Sequence, residues 1–171
     1  DNVIVPPAQG NPSTGPVVRT HTDKERSLIV QDVMTLSPQF KVHAGLRQVK
    51  VKRDADVDRS FTLPNLALVF TPSGDWMVYG SIAHGMEHGG QADMANANPE
   101  EILAPSRSKQ AEIGAKGVVG NAMTVSAALF QVERGNEFTN GAGYYVRGGQ
   151  QTHRGLELGA QGSAGANLKY S

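Results

Sequence analysis

Residues 108–133, SKQAEIGAKGVVGNAMTVSAALFQVE, alternate small or apolar side chains with polar ones on both sides of Val119-Gly120-Asn121. Ala111, Ile113 and Ala115 point one way, and Gln110, Glu112, Gly114 and Lys116 the other. Beyond the break, Met123, Val125, Ala127 and Leu129 oppose Thr124 and Ser126. A strand sends successive side chains to opposite faces, so this stretch reads as a β-hairpin with one oily and one wet side. The fold depends on whether the oily side meets a protein core or lipid.

The pattern recurs outward in both directions. KERSLIVQDVMTLSPQFKVHAGLRQVKVKR is two extended runs joined at Ser37-Pro38-Gln39. FTLPNLALVFTPSGDWMVYGSIAHG is two more, joined at 71–75. GYYVRGGQQTHRGLELGAQGSAGANLKYS turns at 163–167. Each break holds Pro, Gly or Asn, which supply the fixed or positive φ of tight turns. The single helical candidate is NPEEIL, with Asn98 as cap and Pro99 in the first helical position.

Connections between hairpins read as longer: DADVDR after Arg53, MEHGGQADMANANPEEILAPSR after Gly85, and RGNEFTNGAG after Glu133. Short turns then lie at one end of an up-and-down array and longer loops at the other, as in outer-membrane barrels. Runs of about 10 to 14 residues exceed the usual soluble strand and suffice for a tilted membrane strand. In the second run Phe40, Val42, Ala44 and Leu46 oppose Lys41, His43 and Arg47. In the seventh, Leu156, Leu158 and Ala160 oppose Glu157 and Gln161. Charges in mid-strand opposite an unbroken apolar row suit a watery lumen.

Composition narrows the classes. The 171 residues carry 16 Lys and Arg against 16 Asp and Glu, which argues against nucleic acid as a partner. There is no cysteine, hence no disulfide framework and no thiolate metal site. No apolar run approaches a transmembrane helix, and the first residues lack the pattern of a signal peptide. The chain therefore reads as mature or as starting inside something larger. NLKYS opens an eighth run and stops, and seven strands with a stub do not close a barrel of even strand number. The expected architecture is all-β: antiparallel up-and-down hairpins forming a partial segment of a transmembrane β-barrel. Residues 1–24 would be an N-terminal loop and 25–171 consecutive hairpins.

Four stretches in order carry a family resemblance. SLIVQDVMTLSPQFKVHAGLR resembles a strand-turn-strand with Gln31 and Asp32 before the turn and Gly45, Leu46 and Arg47 after it. LVFTPSGDWMVYGSIAHG is similar to a hairpin with Pro72 in its turn and Tyr79 and Gly85 on its rising strand. LAPSRSKQAEIGAKG resembles a signature made here by Pro105, Ser108, Lys109, Gln110, Glu112, Gly114 and Lys116. QTHRGLELGAQG resembles a strand carrying Arg154, Gly155, Glu157 and Gly162. Together they resemble the barrel of TonB-dependent siderophore receptors of Gram-negative outer membranes.

That resemblance implies a bacterial outer-membrane location, a ferric siderophore as cargo, surrounding outer-membrane lipid, and no resident cofactor. It implies a partnership with the TonB complex through a plug region that this chain lacks. Several positions where the family often has aromatics hold small or aliphatic residues here: Ile82, Ala83, Met86 and Ala111. Trp76, Tyr79, Phe40, Phe70 and Phe130 are left to form a thin aromatic belt.

No catalytic constellation is visible: there is no nucleophile elbow and no phosphate-cradling loop. Glu100 and Glu101 form a pair on a polar loop, where they read as solvated. HGMEHGG places His84, Glu87 and His88 close in sequence, but a Gly-rich loop fixes no metal geometry, so no metal site is assigned. His21, His43 and His153 stand singly. For an anionic ferric chelate, useful donors near the external mouth are His84, His88, Arg107, Tyr144, Tyr145 and Arg147. Arg47, Glu112, Lys116 and Glu157 are expected on the lumen wall. The alternative is a small soluble β-barrel or sandwich that binds an apolar ligand. Oily rows packed against one another in a sealed interior would favour it.

Overall fold

A computed structural model describes residues 22–53, 57–120, 123–164 and 168–170. They form one antiparallel sheet of eight strands in sequence order, with every neighbour a hairpin partner. The strands are β1 (Asp23–Thr35), β2 (Phe40–Arg53), β3 (Val57–Ser73), β4 (Trp76–Glu87), β5 (Ser106–Val119), β6 (Met123–Thr139), β7 (Tyr145–Ala164) and β8 (Leu168–Tyr170). β1 and β8 do not pair with each other, so the described sheet is open. No helix occurs among the described residues.

Register turns the sequence pattern into two faces, because directly paired residues point the same way. One row runs Gly80, Ile113, Leu129, Leu156, and a parallel one Val78, Ala115, Ala127, Leu158. On β2 and β3, Val42 pairs with Leu68 and Ala44 with Leu66 on that same face. These side chains are open: Ile113 is 58% exposed, Leu129 57% and Leu158 75%. Among the described residues the buried apolar side chains are Val49, Val51, Phe61, Leu63, Ala92 and Pro105. The oily rows are therefore not buried against one another, contrary to what the soluble alternative requires.

The turn end of the apolar face carries a short aromatic belt. Phe40 pairs with Phe70, their rings stacked with centroids 4.5 Å apart, and Trp76 sits opposite Gly117. Tyr79 and Phe130, expected in the belt, lie on the other face, because each is one residue out of phase with the apolar row. Each ring there covers the glycine opposite, Tyr79 over Gly114 and Phe130 over Gly155. A Cβ added to Gly155 would lie 2.4 Å from the Phe130 ring. Gly155→Ala is therefore expected to cost about 1 to 2 kcal/mol through overpacking. The urea midpoint of the folded protein would show it, and Phe130→Leu on the same background should relieve it.

Several strands are longer than expected: β3 and β6 have 17 residues and β7 has 20. Val57–Arg59 and Arg134–Thr139, assigned from sequence to loops, belong to β3 and β6. Asp23 and Lys24, assigned to the N-terminal loop, begin β1, while 1–21, His21 included, lie outside the described residues. The turns at 119–121 and 163–167 are described only in part.

The extra length has a physical pattern. Phe40, Val42, Ala44 and Leu46 of β2 and Leu66, Leu68 and Phe70 of β3 sit on the open face; beyond Gln48 and Pro64 the larger apolar residues take the other phase. Val49, Val51, Phe61 and Leu63 turn inward under Met86, while Lys50, Lys52, Asp58 and Thr62 take the outer side. β3 stops pairing with β4 at Asn65, next to Pro64. Proline has no N–H to give a second neighbour, so β3 is paired on one side only from there.

NPEEIL is not a helix. Glu100 has φ 62°, a left-handed conformation that cannot continue a right-handed turn. The Asn98 side chain instead donates to the Tyr145 carbonyl at 2.9 Å and accepts from its N–H at 2.8 Å.

Candidate functional site

The connection from β4 to β5, residues 88–105, is the longest among the described residues, and it folds back on itself. Gln91 bridges to Ile102, the Leu103 N–H donates to the Gly90 carbonyl, and Ala92 exchanges backbone bonds with 100 and 101. Gly89 and Gly90 make this possible: a Cβ on Gly89 would fall 2.1 Å from the Leu103 carbonyl oxygen.

This loop is tied down at two places. On one side Glu137 gathers its donors: Arg147 Nη2 and Nε at 2.6 and 3.1 Å, the Tyr145 hydroxyl at 3.0 Å, and the Gly90 N–H at 2.9 Å. Partial burial alone would raise the Glu137 pKa, but the charge and hydrogen bonds of Arg147, Gly90 and Tyr145 outweigh it and hold the pKa below the ordinary value. Glu137 lies eight residues past Leu129, about 25 Å further along the strand and well clear of the apolar rows. The Ala97 N–H bonds the Gly143 carbonyl, and Thr139 Oγ1 bonds Asn96, fastening the loop to the β6–β7 hairpin.

On the other side lie Arg53 and Asp23, joined by bonds of 2.6 and 2.8 Å, with Arg53 also reaching the Leu103 carbonyl at 3.4 Å. Arg47 donates to Glu25 at 2.6 Å. His88 stands between these carboxylates, its Nδ1 3.5 Å from Asp23 and its Nε2 3.8 Å from Glu25.

Between loop and hairpin is a polar cavity of about 340 Å³ lined by Glu87, His88, Gly90, Arg134, Gly135, Glu137, Tyr145 and Gln151. Of the ligand-contact residues named from sequence, His88 and Tyr145 line it, and Arg147 is tied to its wall through Glu137. Tyr144 is half exposed on the loop beside it. His84 and Arg107 are elsewhere: they pair with Lys109 and Met86 on the sheet below the loop. His84 and His88 are thus separated. Among the described residues no group of three potential metal donors occurs.

Sequence reasoning did not single out Arg134, Glu137 or the Asp23–Arg53 pair. Arg134 and Glu137 fell in a presumed loop, and Arg53 and Asp23 are 30 residues apart. The apolar phase change after Leu46 was the available signal that the strands continue and bring these residues above the sheet. Arg47, Glu112, Lys116 and Glu157 share the face opposite the apolar rows, where the Tyr79 hydroxyl donates to Glu112 at 2.5 Å.

The family model described as TonB dependent receptor-like, beta-barrel matches residues 2–171. Among solved structures, the chain is similar to BauA, the ferric preacinetobactin receptor of Acinetobacter baumannii. Identity is 24% and the TM-score 0.66, over 87% of this chain and 24% of that one. It is also similar to the siderophore receptor PiuA of the same organism, at 21% identity and TM-score 0.65, over 83% and 23% of the two chains. For FpvA of P. aeruginosa, in complex with iron and a heterologous pyoverdine, the values are 21%, 0.60, 82% and 21%. At such identities the likeness is one of fold. The chain spans about a quarter of the length of these structures. No curated protein matches the sequence.

Proposed function

Because the chain belongs to the TonB-dependent receptor-like β-barrel family, we propose that it is part of an outer-membrane receptor that takes up ferric siderophores. The observation that carries this reading is the family match along nearly the whole chain, on a sheet whose apolar face is open. The apolar rows meet lipid, and the polar face lines the lumen. The ferric siderophore is cargo, no resident cofactor takes part, and energy comes from the TonB complex through a plug outside this chain.

The cavity between the 88–105 loop and the β6–β7 hairpin contributes to capture of the chelate at the loop end. Arg134 has no hydrogen bond or ion pair among the described residues and is exposed, so its charge is available to an anionic ligand. Tyr145 adds an apolar ring with a polar tip beside it. His88 lines the same cavity, beside Asp23 and Glu25.

Arg134→Gln in the receptor carrying these strands should weaken binding of its ferric chelate about five-fold or more, through loss of one charge-assisted contact. Equilibrium binding of radiolabelled chelate to whole cells, at matched receptor abundance, measures this. Unchanged affinity would remove the cavity from the site, and a receptor absent from the outer membrane would remove the membrane reading itself.

A further inference from the structure

We propose that Lys24, Arg26, Lys50 and Lys52 bind the phosphate of an anionic lipid headgroup, in the leaflet that the loop end of the barrel faces. The inference rests on the apolar face meeting lipid.

The pleat sorts charge in β1. The run Asp23-Lys24-Glu25-Arg26 alternates in sign, so its acids fall on the polar face and its bases on the apolar one. Asp23 and Glu25 are held on their own face by Arg53 and Arg47. Register then sets Lys24 opposite Lys52, and Arg26 opposite Lys50. Like charges directly opposed across strands are destabilising, yet two such pairs are adjacent here. The four Cα positions span about 5 Å across the strands and about 7 Å along them.

Neutralisation among the described residues is partial. Asp58 reaches Lys50 at 3.3 Å and Lys52 at 3.0 Å, with all three side chains about half exposed. These lysines hold the Asp58 pKa below its ordinary value. Lys24 and Arg26 are exposed and have no hydrogen bond or ion pair among the described residues. Asp54 and Asp56 lie outside the described residues.

Position selects a lipid over a soluble anion. The next pair toward the turn end is Leu28 with Gln48, followed by Val30 with Leu46. Leu28 is 69% exposed and Val30 65%. An acyl chain lying along Leu28, Val30 and Leu46 brings its headgroup level with the four bases. A guanidinium and three ammonium groups supply the donors that phosphate oxygens accept.

The test uses the receptor carrying these strands in phosphatidylcholine nanodiscs doped with phosphatidic acid, with retained phosphatidic acid counted by native mass spectrometry. Each basic charge near an anionic headgroup favours retention roughly five-fold. The quadruple Lys24→Gln, Arg26→Gln, Lys50→Gln, Lys52→Gln variant should retain at least about ten-fold less. Asp58→Asn, which removes the opposing carboxylate among the described residues, should retain more. Equal retention by inserted wild type and quadruple variant, or by Asp58→Asn and wild type, overturns the proposal. So does displacement of the lipid by an equal concentration of inorganic phosphate. If the quadruple variant fails to insert, the Asp58→Asn comparison decides. Failure of the wild-type receptor to enter a bilayer would overturn the membrane reading instead, a result distinct from loss of phosphatidic acid by an inserted receptor.

Discussion

Replacing Leu129 with arginine is expected to cost about 2 to 4 kcal/mol of folding free energy in a bilayer. Leu129 stands on the apolar face, between Ile113 on β5 and Leu156 on β7, all three more than half exposed, and the next pair toward the loop end is the polar Gln131 with Arg154. A charge placed there has only apolar neighbours within its own row and must reach toward Gln131 at the loop-side border, beside the like-charged Arg154, or stay in hydrocarbon. The matched control is one residue away. Ala128 lies on the other face, directly opposite Glu157 on β7 and next to Gly114 on β5. Ala128→Arg should therefore be tolerated or gain a cross-strand pair of some tenths to 1 kcal/mol. Heat-modifiable mobility of the receptor extracted from outer membranes reads both variants. Equal insertion of Leu129→Arg and Ala128→Arg would mean that the faces are assigned wrongly.

Removing the carboxylate at Glu137 is the second large change. Its side chain is 20% exposed and that of Arg147 22%, so screening by solvent is limited but present. Glu137→Ala leaves Arg147, Tyr145 and the Gly90 N–H without their common acceptor, at an expected cost of about 1.5 to 3 kcal/mol. The loss falls on the seat of the 88–105 loop rather than on the sheet. Amide exchange at Gly90 and Leu103 should accordingly rise roughly ten- to a hundred-fold, with the β5–β6 ladder unchanged.

The same contacts set a pH dependence. The Glu137 pKa is lowered by folding, so the stability it contributes is present above the ordinary carboxylate value. It is lost as pH falls through the lower, folded value. Glu137→Gln should abolish this acid-dependent opening while keeping an acceptor for Gly90.

The hairpins were legible because strand alternation is a local property. Ile113 and Leu129 announce the same face within a window of a few residues, and the Pro, Gly and Asn breaks mark where the chain reverses. Where alternation and environment part company, local reading failed. Val49 and Val51 follow Leu46 out of phase because the strand there has left the apolar rows and its inner side has a small core to fill. Arg134–Thr139 are polar enough to read as loop, yet all but Asn136 pair with β7, across a register shift near Gly149, whose φ is 72°. Residue type suggests the aromatic belt for Tyr79 and Phe130, but phase puts both on the polar face.

The sequence alone determined the alternation, the turns, the order of the hairpins and, through neighbour-to-neighbour pairing, the division of the sheet into an oily and a polar face. Pleat and turn geometry act over two to five residues, so each element carries that information within itself. Only the tertiary structure decided what gathers above the sheet. Glu137 collects Gly90 from a loop 47 residues earlier, and Lys24 faces Lys52 because two strands align in one register. Such meetings depend on where separate segments are brought in space, and no short-range pattern in the chain encodes them.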